Sequence, residues 1–251
     1  MNVDWRSLTD ELDIWQQQGL TLPLWWRDDD AVSTTPQLGR LTAMSDQLGM
    51  PVHLAIIPLD AEDVLVEYVA AHPNLIPVVH GWAHQNHAPS GEKKSEFRLH
   101  RPMAEITQDI RSGISRMGAL FGDQLCPMFV PPWNRIAPEV VQELHSAGFR
   151  ILSTATPRSS AQAAPGLDQI NTHLDPIDWH GSRGLADPEM LVAKTAQLLQ
   201  DRRETQADNA EPFGILTHHL VHDEDIWAFT SDLLNRLLDG PGFVWSARHA
   251  D

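Results

Sequence analysis

The sequence predicts an α/β protein built on a parallel sheet. Short apolar runs alternate with amphipathic helical periodicities about seven times. No break in composition interrupts that alternation, so residues 1–251 read as one domain. The residues able to do chemistry fall just after the apolar runs, as active-site residues do at the C-terminal ends of parallel strands. With this many units the sheet either closes into a barrel or stays open and doubly wound.

Each element has a local reason. Trp5, Leu8, Leu12 and Trp15 recur at three- and four-residue intervals, which predicts a helix over 4–18 that Gly19 ends. Residues 20–26 are short and apolar and predict the first strand. Pro36 opens a helix carrying Leu38, Leu41, Met44 and Leu48, which Gly49 stops. Strands follow over 52–57 and 75–79, with a helix between them over 61–71. Residues 85–101 are rich in Asn, Pro, Ser, Gly, Glu and Lys and predict a long surface loop. Pro102 begins a helix with Met103, Ile106, Ile110, Ile114, Met117 and Phe121 on one face. A strand over 128–130 ends at Pro131-Pro132, a helix over 138–147 closes at Gly148, and a strand covers 149–153. Residues 154–168 read as a Ser-, Ala- and Pro-rich loop, 170–174 as a short strand and 188–201 as a helix. Residues 202–212 are polar and predict a mobile connection. A strand over 213–217, a helix over 225–238 and an extended piece over 242–245 complete the chain.

Hydrophobic residues make up 42% of the chain, enough to build a substantial core. The 34 acidic and 18 basic side chains give a formal net charge of −16. That excludes a nucleic acid or an anionic membrane as the main partner and suits a neutral or cationic ligand. Cys126 is the single cysteine, so disulfide scaffolding and cysteine-rich zinc sites are excluded. The start shows no basic region followed by an apolar stretch, and no apolar run reaches membrane-spanning length. The expectation is a cytoplasmic protein with no membrane partner. The oligomeric state is left open.

The chain's 13 His and 9 Trp acquire meaning where they cluster with carboxylates. Asp28, Asp29 and Asp30 end an apolar, Trp-rich run, and charges that close repel unless a cation shares the site. His80 and His84, four apart, can reach one metal ion from one side of a helical turn. Two His and one Asp make a facial triad with open positions; Zn²⁺ suits it first, and Fe²⁺, Co²⁺ or Ni²⁺ also fit. A second carboxylate can act as general base on metal-bound water. His218 or His219 can protonate a leaving group, and a backbone N–H after Pro131-Pro132 can hold an oxyanion. This inventory is that of a metal-assisted amide or ester hydrolase. Its plain counterparts are a solvated turn for the aspartates and surface positions for the histidines. His53, inside an apolar strand, reads as a hydrogen-bonded core His, and His87 and His100 as solvent or rim residues.

These motifs, over roughly residues 26–218, resemble those of the polysaccharide deacetylase (NodB-homology, carbohydrate esterase 4) family. Arg27 to Asp30 resembles its Asp-Asp motif, and His80-x-x-x-His84 its metal motif. Val130-Pro131-Pro132-Trp133-Asn134 resembles Arg-Pro-Pro-Tyr-Gly, Asp175-Pro176-Ile177-Asp178-Trp179 resembles Asp-x-x-Asp-Trp, and Leu216-Thr217-His218 resembles Leu-x-His. The resemblance implies a distorted (β/α)7-type barrel with parallel strands. It implies removal of an acetyl group from an N-acetylated sugar or similar small amide, using a divalent metal, an Asp base and a His acid. The substrate would be a small molecule or an oligosaccharide.

Two departures shape the assignment. Val130 replaces the arginine that in the family contacts the catalytic Asp. Arg27 offers a replacement, because side chains at i and i+2 of a strand share a face and Arg27 then lies beside Asp29. That favours Asp29 as base, with Asp30, His80 and His84 on the metal; the competing register makes Asp28 the base and Asp29 the ligand. Trp133 stands where the family has Tyr, and its N–H can still serve the oxyanion. His218 is then the acid, Asp178 its support, and Pro132, Trp133 and Trp82 the substrate wall. The alternatives are a hydrolase of a non-sugar amide, such as a ureide or cyclic imide, a catalytically inert metal- or ligand-binding homologue, and a purely structural protein.

Overall fold

A computed structural model describes residues 3–249. In chain order the elements are α1 (Arg6–Gln17), β1 (Leu22–Ala31), α2 (Pro36–Leu48), β2 (Val52–Ile56), α3 (Asp63–Ala71), β3 (Leu75–His80), α4 (Met103–Phe121), β4 (Met128–Val130), α5 (Pro138–Ala147) and β5 (Ile151–Leu152). There follow β6 (Gln162–Ala164), β7 (Leu167–Gln169), β8 (Thr172–Leu174), α6 (Pro188–Arg203), β9 (Phe213–Thr217), α7 (Glu224–Asp239) and β10 (Gly242–Val244). The helices begin and end on local chemistry. Thr35 caps α2 through Oγ1 to the Leu38 N–H at 3.0 Å, and Gly49 ends it in the left-handed region. Asp223 caps α7 through the Ile226 N–H at 2.8 Å.

Strands β5, β4, β3, β2, β1, β9 and β8 lie side by side in that order, every pair parallel. A single parallel bridge between Ala155 and Thr172 joins the two ends of this row. The result is a distorted barrel rather than an evenly closed one. β10 pairs with the first half of β1, from Leu22 opposite Gly242 to Leu24 opposite Val244.

Alternation along the strands divides the core in two. Trp25, Ala55, Ile76, Val78, Met128, Val130 and Ile151 pack together inside the barrel. Their neighbours Trp26, Leu54, Val79, Phe129 and Leu152 join the larger layer between sheet and helices. Strands buried on both faces explain the continuous apolar runs. Trp25 and Trp26 are both fully buried, and each indole N–H finds an acceptor, the Asn171 carbonyl at 3.1 Å and Thr217 Oγ1 at 2.8 Å.

The structure corrects three local expectations. β1 does not stop at Trp26 but runs through the three aspartates to Ala31, because partners meet each carboxylate. Residues 154–168 contain the β6–β7 hairpin, which turns at Gly166 with φ +75°. The stretch 202–212 is anchored: α6 reaches Arg203, whose guanidinium clamps Glu11 of α1 at 2.7 and 3.0 Å. Glu211 within it is fully buried and accepts from the Arg158 and Asn171 N–H groups, both at 2.9 Å.

Candidate metal centre

Period-2 alternation carries chemistry to the C-terminal end of the barrel. Arg27 and Asp29 continue the inward face of Trp25, and His80 continues that of Ile76 and Val78. Arg27 is fully buried and Asp29 is 3% exposed. The guanidinium clasps Asp29 through Nε to Oδ1 at 2.9 Å and Nη2 to Oδ2 at 3.0 Å. Nη2 also donates to Asn134 Oδ1 at 2.7 Å, and Nη1 to Ser153 Oγ at 2.8 Å and the Thr154 carbonyl at 3.3 Å. A planar fork with five donors fits that ring of acceptors.

Strict alternation sends Asp30 to the outer face, yet it lines the same pocket as Asp29. A β-bulge is responsible. Asp28 pairs with Leu54 and Ala31 with Ile56, so β1 carries one extra residue between those points. Asp30 takes φ +77° there, a region Asp tolerates better than most residues. Its Oδ1 lies 3.1 Å from His80 Nε2 and 3.3 Å from His84 Nε2.

His80 and His84 do not reach this point from a helical turn. Gly81 at φ +61° and His84 at φ +51° fold the segment back instead. Buried Glu96 holds it, accepting from the Ala83 N–H at 2.8 Å, the Trp82 N–H at 3.3 Å and the Gln85 N–H at 3.4 Å. Burial pushes the Glu96 carboxyl up despite those donors.

The donor set fits a metal ion. His80 Nδ1 donates to the Val130 carbonyl at 3.0 Å, which turns Nε2 toward Asp30. A lone pair facing a carboxylate oxygen repels it unless a proton or a metal ion lies between. Ligand atoms about 2.1 Å from one ion stand about 3.0 Å apart in octahedral and about 3.4 Å apart in tetrahedral geometry. The two Asp30–His distances fall in that interval, and the three ligand atoms all lie within 4.8 Å of one another. Burial opposes ionisation of Asp30, but His80, His218 and His84 outweigh it and hold its carboxyl low.

Asp28 is turned away from this group. It is fully buried, accepts from Thr217 Oγ1 at 2.6 Å and the His219 N–H at 3.0 Å, and pairs with His219 Nδ1 at 2.5 Å. Burial raises its carboxyl, and His219 and Thr217 more than reverse that. His219 is therefore occupied, while His218 lines the pocket, with its Nδ1 buried and without a partner among the described residues. The structure replaces Asp178 by Asp175 as the carboxylate facing the pocket. Asp178 instead accepts from the Gly181 and Ser182 N–H groups, both at 3.0 Å. Asp175 lies in the pocket wall, pushed up by burial and drawn down by His218, and accepts from Trp179 Nε1 at 2.7 Å.

Trp133 lines the pocket, its ring 4.4 Å from that of His84, in a turn where Trp133 and Asn134 both take positive φ. Among the described residues its N–H has no acceptor. Pro132 and Trp82 are not walls of the pocket. Pro132 is buried against Gly81, and Trp82 packs on the outer core, because the fold-back at Gly81 turns it away. Sequence reasoning missed Asn134, Ser153 and Glu96. Phe97 and Leu99 are the large apolar residues of that polar loop, and of the two Phe97 is buried.

By sequence the chain matches no family model and no curated protein. By structure it is similar to a protein from Mycobacterium smegmatis described as a polysaccharide deacetylase, with TM-score 0.63 and 14% identity over 85% of this chain and 76% of that one. A family 4 carbohydrate esterase from Streptomyces lividans, solved with acetate, gives TM-score 0.54 and 14% identity over 90% and 94%. A variant of a Bacillus subtilis peptidoglycan deacetylase gives TM-score 0.51 and 13% identity over 91% and 89%. The fold is the NodB-like distorted barrel of those proteins.

Proposed function

We propose that this chain is a divergent member of the polysaccharide deacetylase family, a metal-dependent hydrolase that removes an acetyl group from an N-acetylated sugar or a similar small amide. The observation that carries the reading is the juxtaposition of two units at the C-terminal end of the barrel. Asp30, His80 and His84 converge there, and beside them stands Asp29, clasped by Arg27.

Asp30, His80 and His84 would hold a divalent ion, Zn²⁺ first by ligand type, which would supply a Lewis acid for the amide carbonyl and make water more acidic. Asp29 would accept a proton from the attacking water, and the Arg27 fork keeps its carboxylate in one orientation. The Trp133 N–H, free of any intramolecular acceptor among the described residues, is the donor assigned to the developing oxyanion. His218 gives a proton to the departing amine, with Asp175 rather than Asp178 beside it in the pocket wall. The pocket, about 860 Å³, has room for a sugar-sized ligand.

The test is metal analysis of the purified protein together with acetate release from N-acetylated sugars, for the wild type and for His80→Ala and Asp29→Asn. The expected result is about one divalent ion per chain in the wild type and in Asp29→Asn, with loss of the ion in His80→Ala. Acetate release should fall at least about 10²-fold in both variants. Full metal content in His80→Ala, or turnover unchanged in Asp29→Asn, refutes the assignment.

A further inference from the structure

The pocket around Asp30 has an acidic floor and a basic mouth. Lys93 and Lys94 line it from the loop before α4, Arg135 from the turn after β4, and Arg183 from the loop before α6. A polar groove of about 580 Å³ opens beside it, shares Asn134 and Arg135 with it, and adds Arg98. Two of the chain's three lysines are thus spent at one place in a protein of net charge −16.

These cations are unspent. Seven arginines elsewhere are paired with carboxylates, among them Arg40 with Glu224, Arg101 with Asp109, Arg158 with Asp208 and Arg203 with Glu11, whereas Arg111, Arg116, Arg150, Arg236 and Arg248 lie outside the pocket without such a pair among the described residues. Among the described residues no carboxylate pairs with Lys93, Lys94, Arg98, Arg135 or Arg183. The floor does not neutralise them: Asp29 is clasped by Arg27, Asp30 faces two histidines, and Asp175 accepts from Trp179.

They are also placed. Arg135 Nη1 donates to the Lys94 carbonyl at 2.8 Å, tying one cation to the loop that carries two others. The Lys94 ammonium lies 6.0 Å over the Trp133 ring and the Arg183 guanidinium 5.5 Å over the Trp179 ring. Arg183 holds φ +61°, with its N–H on the Asp178 carbonyl at 2.9 Å, in the turn that the Asp178 carboxylate caps. The turn capped by Asp178 therefore fixes where the loop presents the Arg183 cation.

We propose that the substrate carries an anionic group, a carboxylate or a phosphate monoester, beside its scissile amide, and that Arg183, Arg135 and the Lys93–Lys94 pair hold it. The proposal rests on the amide-hydrolase reading of this pocket and supplies its substrate class. Net charge alone pointed to a neutral or cationic ligand. At physiological salt, however, charges are screened beyond about 8 Å, so the local cations outweigh the distant acidic surface.

Three compounds test it on the metal-loaded protein: N-acetylglucosamine, its 6-phosphate, and the carboxylate-bearing N-acetylmuramic acid. Acetate release and binding by calorimetry are measured for each. At least one anionic compound should bind and react about tenfold to a hundredfold better than the neutral one at low salt. That preference should shrink several-fold in Arg183→Gln, in Lys93→Gln/Lys94→Gln, and at 0.5 M salt in the wild type, about a Debye length of 4 Å. Binding of the neutral compound as tight as that of both anions overturns the proposal, as does binding of none. So does a preference that survives both variants, which would place the anion on the metal. Anion-selective binding without hydrolysis of any compound leaves this proposal standing and defeats the hydrolase reading; hydrolysis without selectivity does the reverse.

Discussion

Removing the Arg27 guanidinium should reveal how much of the protein's stability is committed to Asp29. In Arg27→Met the Asp29 carboxylate, 3% exposed, loses both of its charged donors, and Asn134, Ser153 and the Thr154 carbonyl lose theirs. Breaking a buried ion pair from one side costs about 3–5 kcal/mol. The flanking acceptors add to the cost where water cannot replace the guanidinium. Arg27→Met should therefore lose about 4 kcal/mol in urea unfolding, read as a shift in midpoint at constant slope. Arg27→Met/Asp29→Asn removes both charges and should recover about half or more of that loss, since a buried pair is often no better than a neutral replacement. The coupling between the two positions should reach about 2 kcal/mol. Arg27→Lys should fall between, because three donors on a point charge cannot span Asp29, Asn134 and Ser153. A loss below about 1 kcal/mol in Arg27→Met, or strict additivity in the double variant, refutes the argument that Arg27 and Asp29 form one unit.

Other perturbations follow from the same geometry. In Gly81→Ala the new Cβ meets Glu96 Oε2 and lies 2.6 Å from Pro132 Cδ at φ +61°, so the segment carrying His84 must shift; metal affinity should fall at least about tenfold by competitive titration with a chelator. Asp175→Asn should lower kcat about tenfold or more with metal content intact, whereas Asp178→Ala should act mainly on KM, through the Arg183 loop; equal kcat losses would contradict the division of roles. His53 is fully buried between the Trp26 carbonyl and the Ala247 N–H, and burial lowers it from 6.5 to about 4. The folded state keeps it neutral, so its contribution is whole above pH 6.5 and is lost as the pH falls to about 4, roughly 3 kcal/mol in all. Subtracting the stability–pH curve of His53→Gln from that of the wild type should show this limb; a flat difference between pH 4 and 6.5 would refute it.

How far the site was legible depended on the range of the interaction that builds it. Alternation is local, and it placed Arg27 beside Asp29, as the structure does. The order of strands and helices was legible for the same reason, because each element carries its own periodicity and its own Pro or Gly stop. Glu96 was not legible. It sits in a run of charge that reads as solvated, and its burial is decided by backbone donors 11 to 14 residues away. Asp175 and Asp178 are three positions apart, and spacing alone cannot say which of them faces His218. The choice is made by the turn over 178–184, where Asp178 serves the backbone.

The bulge in β1 ties these strands of argument together. A regular strand can aim Arg27 and Asp29 inward, or Asp28 and Asp30, but not Asp29 and Asp30 at once. One inserted residue at positive φ breaks that rule and lets Asp29 and Asp30 line one pocket. The residue before the bulge, Asp28, keeps its outward register and fixes β9 and the segment after it, through Thr217 and His219. The three aspartates are thus one structural, one clasped and one ligand-facing. Their different partners remove the mutual repulsion that made the run conspicuous. The same logic explains how Arg27 serves Asp29 from within β1. Placed two residues before Asp29 on a straight stretch, Arg27 moves with it as one rigid piece, and its fork still reaches across to Asn134 and Ser153. The strand therefore carries its own clasp up to the bulge, and the candidate metal site begins immediately beyond it.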